Sequence, residues 1–462
     1  MFYTKKAKER IFINRTKQNY PQIWGYYEEL LRNEKLSEAE LYALNFKKRQ
    51  EILIYAYEHS PFYKRFYDES GINPYKIQTE EDWDKVPVVT KDMVREFSDE
   101  IKVPGEIDEF GRANNTGGST GRPLKIFNDK RDAVPSVYWR FRGWWWDRQL
   151  SRRIGMMGGG KNSGIIGQNE AIIYRPLPDT NNAVTNPSQF YPMLMCELNA
   201  RTMNEDDVER FIKDIKKMKP VYLRGYAGAV YEFACICQKR GIKFHGIKGI
   251  EVTSTPTNKL MRKTMKTVFN CKVFDTYASN ESLLIAAECN HSTDNHYLHV
   301  FSDIKHIDIV DENNKIIPCG EIGYTCVTCF NNKVFPFVKY LLGDRTYYVK
   351  GKCECGLNFP RIAPVEGRES DYLMTKQGNK LFGLSNIFDD FPEEVDGYQF
   401  IQHKDLCVTL KIVPKKNVPN ERIKDIFNFI EKTYSQINFY LEIVNAIPHD
   451  AGKIRFILHE NE

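Results

Sequence analysis

Apolar positions recur at helical spacing through the first hundred residues: Leu30, Leu31, Leu36, Leu41 and Leu44, then Ile52, Leu53, Ile54 and Tyr57. That period predicts a mainly helical lead-in over residues 1–100. Ser60-Pro61-Phe62-Tyr63 interrupts it, because proline disfavours helix in the residue before it. Thr79-Glu80-Glu81-Asp82 reads as a helix start with acidic residues in the first turn. From 114 to about 330 short apolar runs alternate with helical stretches. Strands are predicted at 153–157, at Ile172-Ile173-Tyr174, at Val221-Tyr222-Leu223, over 248–253 and at Lys272-Val273-Phe274. Helices are predicted from Glu205 to Lys217 and from Ala229 to Lys239. This alternation predicts an α/β architecture with a buried sheet. Residues 297–349 are richer in strand-like alternation. After Gly367-Arg368 one amphipathic helix, Arg422 to Tyr434, lies between strand-like runs at 408–412 and 440–444. The expected organisation is a large α/β domain over 1–367 and a small α+β domain over 368–462.

Length agrees, since 462 residues exceed what one core usually serves. Apolar residues make up 42% and charged residues 27%, a soluble globular balance. The net charge of +5 is spread along the chain, and no stretch concentrates basic and aromatic residues, so no nucleic-acid partner is expected. No segment has the length and hydrophobicity of a membrane span. Eleven cysteines without an apolar signal core point to reduced thiols or a metal site in the cytoplasm.

The most informative run is Asn115-Thr116-Gly117-Gly118-Ser119-Thr120-Gly121-Arg122-Pro123-Leu124-Lys125. Its glycines let backbone N–H groups turn toward an anion, Thr116, Ser119 and Thr120 add hydroxyl donors, and Lys125 adds charge. The Gly-Lys-Ser/Thr ending of a Walker A loop is missing. An ordinary Gly/Ser turn has the same composition.

This run resembles the phosphate loop of the acyl-adenylate-forming superfamily, and further pieces follow in that superfamily's order. Asp275-Thr276-Tyr277-Ala278-Ser279-Asn280-Glu281 resembles its aromatic-Gly-x-Thr-Glu motif. Leu342-Gly343-Asp344-Arg345 resembles its ribose-binding segment, Gly367-Arg368-Glu369-Ser370-Asp371 its hinge, and Ala451-Gly452-Lys453 its C-terminal lysine element. Pro61-Phe62-Tyr63 and Pro87-Val88-Val89-Thr90-Lys91 are similar to signatures of the phenylacetate–CoA ligase and CapK branch. The resemblance spans about residue 50 to the end. It departs at Ala278 and Asn280, which replace a glycine and a hydroxyl residue, and at Ser254-Thr255-Pro256, where relatives often carry an acid beside adenine.

The resemblance implies an ATP-binding and acyl-binding domain with a mobile C-terminal lid turning at Asp371. It implies ATP and Mg²⁺ as cofactors. Thr116, Gly117, Gly118, Ser119, Thr120, Gly121 and Lys125 would hold the departing phosphates. Glu281 would hold Mg²⁺, Tyr277 would stack on adenine with Ala278 and Asn280 beside it, and Asp344 and Arg368 would bind the ribose. Lys453 would bridge the substrate carboxylate and the α-phosphate, and with Thr116 and Glu281 would carry the adenylation. The acyl acceptor would be CoA, a carrier-protein pantetheine, or an amine or hydroxyl on a sugar, since CapK-like relatives are associated with surface polysaccharide. A homodimer stays open. A nucleotidyl transferase of the coenzyme F-390 synthetase type and a non-catalytic scaffold retaining the fold are the competing readings.

Cys353-Glu354-Cys355 offers two thiols, and Cys289 with His291, His296 or His299 offers a third thiol and an imidazole, a donor set that suits tetrahedral Zn²⁺. The resemblance selects His299 and implies a structural zinc. The aromatic run 138–146 reads as helix packing or as the wall of an acyl pocket, Gly225-Tyr226-Ala227-Gly228 lies where the family forms that pocket, and Arg224 reads as a receptor for a second carboxylate or as a surface residue.

Overall fold

The computed structural model describes residues 4–115, 124–132, 168–174, 195–200, 203–291, 295–365, 372–378, 380–381, 388, 391, 394–447 and 456–460. They fall into two compact units. The first comprises Met1–Gln168, Asn182–Leu194 and Phe274–Val365; the second comprises Asn169–Asn181, Met195–Val273 and Glu366–Glu462.

The first unit opens with the helices that its period predicts. Ser37 caps the long helix Glu38–His59: its hydroxyl accepts from the Glu40 N–H, and the Glu40 carboxylate accepts from the Ser37 N–H. This reciprocal cap satisfies two donors that a helix start leaves open. The helix stops at Ser60, and Pro61 then sits in the first turn of Pro61–Glu69. A missing N–H is harmless there, so proline both ends one helix and starts the next. Thr79 and Asp82 make a second reciprocal cap on Glu80–Asp84. Its Trp83 is fully buried and donates its indole N–H to Asp308 Oδ1 at 3.2 Å.

These helices pack on antiparallel strands. Lys305–Val310, Gly323–Cys329 and Tyr340–Thr346 form a three-stranded sheet, and Leu53, Tyr63 and Trp83 meet Val327 and Phe337 in the core. The turn before the first of these strands is clamped from the helices. Asn45 Nδ2 donates to the carbonyls of Ser302 at 2.7 Å and Lys305 at 3.0 Å, Lys48 Nζ to the Asp303 carbonyl at 2.8 Å, and Asn33 Nδ2 to Asp303 Oδ2 at 3.1 Å. A second antiparallel run places Lys272–Ser279, Leu283–Glu288, Leu298–Val300, Arg361–Ile362 and Tyr348–Val349 side by side in that order. The hairpin of Gly111–Asn115 with Lys125–Asp129 stays in register up to the Asn115–Lys125 pair.

In the second unit four parallel strands lie in the order Met195–Asn199, Glu170–Tyr174, Tyr222–Tyr226, Gly249–Thr253. Helices Glu205–Met218, Ala227–Lys239 and Lys259–Phe269 bury Phe211, Phe233 and Met265 with Ile173, Leu223 and Val252 from the strands. At Gly225 only glycine fits, because a Cβ would lie 2.7 Å from the Ile173 carbonyl oxygen. The C-terminal part is a mixed sheet in the order Phe439–Ile443, Val408–Pro414, Val395–Gln402, Ile457–His459. Helix Asn420–Thr433 packs into its core through Ile423, Ile426 and Ile430. Among the described residues no helix is long and apolar enough to cross a membrane.

Asp303 yields a test of this packing. Burial pushes its carboxyl up to about 6, only partly opposed by the Asn33 hydrogen bond and the Lys48 charge. A raised folded-state value means that ionising Asp303 destabilises the fold as pH rises from about 4 to above 6, whereas the protonated form below about 4 carries no penalty. Asp303→Asn keeps an acceptor for Asn33 and removes the charge. It should stabilise the protein by roughly 3 kcal/mol at pH 7.5, and the gain should vanish below about pH 4, read as urea midpoints of both proteins at the two pH values.

Candidate active site

Glu281 stands in the turn between Lys272–Ser279 and Leu283–Glu288. Ser279 Oγ closes that turn by accepting from the Ser282 N–H at 3.0 Å. Leu283 has φ +60, a left-handed value that a bulky residue adopts only when its surroundings force it. Glu281 lines a cleft together with Asn128, Asp129, Asp132, Lys305 and Asn332. Asp129 is gripped by Arg131 through two bonds of 2.9 and 2.6 Å, and Asp132 accepts from Asn331 at 3.2 Å. Glu281 has a weaker hold, the Tyr340 hydroxyl at 3.5 Å. It is therefore the carboxylate of the three best placed to accept a hard cation.

Tyr277 and Asp344, distant in sequence, touch. The Tyr277 hydroxyl donates to Asp344 Oδ2 at 2.7 Å and lies 3.0 Å from Thr325 Oγ1, which in turn donates to the Asp344 carbonyl at 3.1 Å. Asp344 is only 7% exposed. Lys125 stands opposite Asn115 at the end of its hairpin, Ala278 pairs with Leu284, and Asn280 shares the turn with Glu281. Thr116, Gly117, Gly118, Ser119, Thr120, Gly121, Arg368, Asp371 and Lys453 lie outside the described residues, as do the aromatic run 138–146 and the strand predicted at 153–157.

The sulfur-rich residues converge. One ligand atom from each of Cys289, His299, Cys353 and Cys355 lies within 4.8 Å of all the others. Cys289 Sγ and Cys353 Sγ are 3.6 Å apart, and Cys355 Sγ is 3.4 Å from His299 Nε2. A tetrahedral zinc with bonds of about 2.3 Å to sulfur and 2.0 Å to nitrogen would set those separations at about 3.8 and 3.5 Å. His299 Nδ1 faces the Phe359 carbonyl at 3.2 Å, which fixes the proton there and turns Nε2 toward the thiols. Burial lowers the His299 pKa, yet hydrogen bonds to Cys353 and Cys355 outweigh it and push it up to about 9. Hydrogen bonds from Cys289 and Cys355 hold Cys353 far below the usual thiol range, while bonding to Cys353 pushes Cys289 far above it. Three thiols and one imidazole at these separations are a donor set that fits a divalent cation such as zinc. His296 instead meets Glu288 Oε1 at 2.8 Å, outside the cluster.

Arg224 is not at the surface. It is fully buried between Glu170, whose Oε1 is 2.7 Å from Nε, and Glu251, whose Oε2 is 3.9 Å from Nη1; the Tyr222 hydroxyl donates to Glu251 at 2.6 Å. Its carboxylate partners are the protein's own. Thr325 and Tyr340, which hold Asp344 and Glu281, carry no sequence signal beyond strand-like alternation.

Residues 373–460 match the family model described as the CapK C-terminal domain. Protein CapK of Staphylococcus aureus is 24% identical over 467 residues, 98% of this chain and 95% of that protein. A phenylacetate-coenzyme A ligase of Thermus thermophilus is 23% identical over 390 residues, 80% of each chain. The chain is thus similar over most of its length to CapK and to phenylacetate-coenzyme A ligases. A crystal structure of a 2-hydroxyisobutyryl-CoA ligase in the postadenylation state with R3-HIB-AMP matches with a TM-score of 0.73 at 16% identity, over 93% of this chain and 91% of that one. The shared fold is the α/β architecture with a small α+β C-terminal domain that the alternation of elements predicts.

Arg224→Leu would remove the buried guanidinium that lies between Glu170 and Glu251. A loss of about 3–5 kcal/mol in urea unfolding is expected.

Proposed function

We propose that this chain is an ATP-dependent, AMP-forming acid ligase. A substrate carboxylate oxygen bonds to the α-phosphorus of ATP while the bond from that phosphorus to the bridging oxygen of pyrophosphate breaks. The products are an acyl-adenylate and pyrophosphate, and the acyl group then passes to a thiol with release of AMP. The observation that supports this best is the meeting of Tyr277 and Asp344 beside the turn that carries Glu281, two sites matched separately to one nucleotide. The sequence likeness to a phenylacetate-coenzyme A ligase, extending over 80% of both chains, points to CoA as the acceptor. A sugar amine or hydroxyl is the alternative, suggested by the likeness to CapK along nearly the whole chain.

Catalysis of this step is mainly positioning and neutralisation of developing charge. The Tyr277 ring takes the adenine, and Asp344 with Arg368 takes the ribose. Residues 116–121 and Lys125 hold the leaving phosphates by backbone N–H groups, hydroxyls and one ammonium. Glu281 ligates Mg²⁺, which neutralises phosphate charge when bound. Lys453 spans the carboxylate and α-phosphate as a point charge on a long stem, and Asp371 is the hinge of the lid. Cys289, His299, Cys353 and Cys355 hold one structural zinc.

Acid-dependent exchange of labelled pyrophosphate into ATP, across a panel of aryl, acyl and amino acids, tests the reading. Exchange with one class of acid and free AMP on completion supports ligation. AMP retained on the product would mean nucleotidyl transfer, and no exchange with any acid would leave a scaffold. Lys453→Ala should lower exchange by on the order of 10²–10³ while ATP still binds. Metal analysis of the purified protein should find about one zinc per chain, lost in Cys353→Ser; a content well below that ends the zinc assignment.

A further inference from the structure

Glu281 shares its cleft with a buried cation. Lys305 opens the strand Lys305–Val310, is only 3% exposed, and lines the cleft together with Cys329, its partner across the ladder. Its backbone is held on both sides: the N–H donates to the Phe301 carbonyl at 3.0 Å, and the carbonyl accepts from Asn45 Nδ2 at 3.0 Å. The ammonium has no comparable hold. Among the described residues its one hydrogen-bond contact is Cys329 Sγ at 3.9 Å, a weak acceptor, and no carboxylate stands within ion-pair distance of it. An ammonium withdrawn from water needs countercharge. Asp129 is balanced by Arg131 at 2.6 Å, and the other acidic groups on the cleft are Glu281 and Asp132. The Cys329 thiol registers all three remaining charges: burial raises its pKa, Lys305 opposes the rise, and Asp132 and Glu281 add to it.

We propose that Lys305 makes the Glu281 site selective for a divalent cation that arrives with a nucleotide polyphosphate, against the same ion alone. This rests on the reading of Glu281 as the Mg²⁺ ligand of an ATP site, and adds to it a group that couples metal to phosphate. The cleft offers about 10 Å³, room for one water or one bare ion and not for a phosphate group, so Lys305 acts through its field and not by contact. Two carboxylates, Glu281 and Asp132, against one ammonium leave the cleft with one excess negative charge; without Lys305 it would hold two. A dication gains more from the second arrangement, because attraction scales with the charges that meet. A polyphosphate reverses the sign. Mg-ATP is an anion overall, so the ammonium that repels the bare metal attracts the complex.

The test measures binding to the full chain as purified: Mn²⁺ alone, by loss of the electron-paramagnetic-resonance signal of the free ion, and Mg-ATP by calorimetry. Neither needs the acid. Lys305→Met keeps the stem and removes the charge. It should bind bare Mn²⁺ about tenfold more tightly than wild type and Mg-ATP about tenfold more weakly. Lys305→Arg keeps the charge and should stay near wild type in both. Lys305→Gln carries the same expectation as the methionine variant and takes its place should that protein not fold. The gain in Mn²⁺ affinity should disappear when Glu281→Gln is added. A purely structural lysine would weaken both ligands together or change neither, and either result overturns the proposal, as does a gain that survives Glu281→Gln. The reading beneath it is exposed separately. Wild type that binds no Mg-ATP, or binds it no better than Glu281→Gln does, removes the Glu281 assignment and this inference with it. A loss of Mg-ATP affinity in Glu281→Gln, with bare Mn²⁺ unchanged in Lys305→Met, removes only the role of Lys305.

Discussion

Asp344 is a nearly buried carboxylate, and a charge withdrawn from water persists only where hydrogen bonds or countercharge take water's place. The Tyr277 hydroxyl meets that demand from a strand of a different sheet, so the bond ties the two antiparallel layers of the first unit together. Between the layers lies an apolar core of Ile285, Ala286, Val300, Ile307 and Ile309, with Tyr277 and Leu342 packed at its margin. Tyr277 thus has an apolar ring seated on a core and a polar tip on a charge, the division of labour that buried tyrosines favour. The turn bearing Glu281 follows directly, so its placement is set by the same contact.

The cysteine and histidine cluster secures the other end of that layer. Leu298–Val300 and Arg361–Ile362 pair over very few residues, and strands so short hold little by themselves. Cys289 closes the strand that begins just after Glu281, His299 sits in the middle of the next strand, and Cys353 and Cys355 come from the turn ending at Gly356, which takes φ +77. A metal there would join three segments that hydrogen bonding joins weakly. Thr346 Oγ1 also donates to the Ala363 carbonyl at 2.7 Å, linking the end of the Asp344 strand to the same region. The cysteine and histidine cluster is therefore continuous, through two strands, with the residues proposed to meet the nucleotide.

Local chemistry was legible in the sequence, and pairing across space was not. Ser60-Pro61 and Thr79 to Asp82 marked helix boundaries because caps and proline act within one turn. The helices at 205 and 422 were legible from their amphipathic period, and three of the four parallel strands from short apolar runs; Met195–Asn199 was missed. The members of the cysteine and histidine cluster could be named because thiols and imidazoles are rare and their chemistry is narrow; the choice of His299 over His296 came from family likeness, and the structure brings His299 to the thiols while His296 meets Glu288. Arg224 was misread because its partners come from the two neighbouring strands. Register alone places Glu251 directly beside Arg224 and Glu170 beside Tyr222, and register is absent from a string of residues. Thr325 was invisible for the same reason, since a bulge opposite it makes its hydroxyl matter.

Leu283 carries the argument one step further. A leucine at φ +60 costs of order 1–3 kcal/mol and persists only where its surroundings fix the backbone more firmly than that. Here the Ser279 hydroxyl holds the Ser282 N–H, and immediately beyond Leu283 the strand is anchored by Leu284 and by fully buried Ile285 and Ala286. A hairpin with glycine at 283 would adopt the same turn without strain, but it would also adopt others, because glycine has more of φ/ψ space open to it. The strained leucine narrows the turn to one conformation. Glu281, with a long hydrogen bond from Tyr340 as its described restraint, is thereby oriented mainly by its backbone. A carboxylate held that way keeps its lone pairs available, which is the condition a hard, oxygen-seeking cation requires.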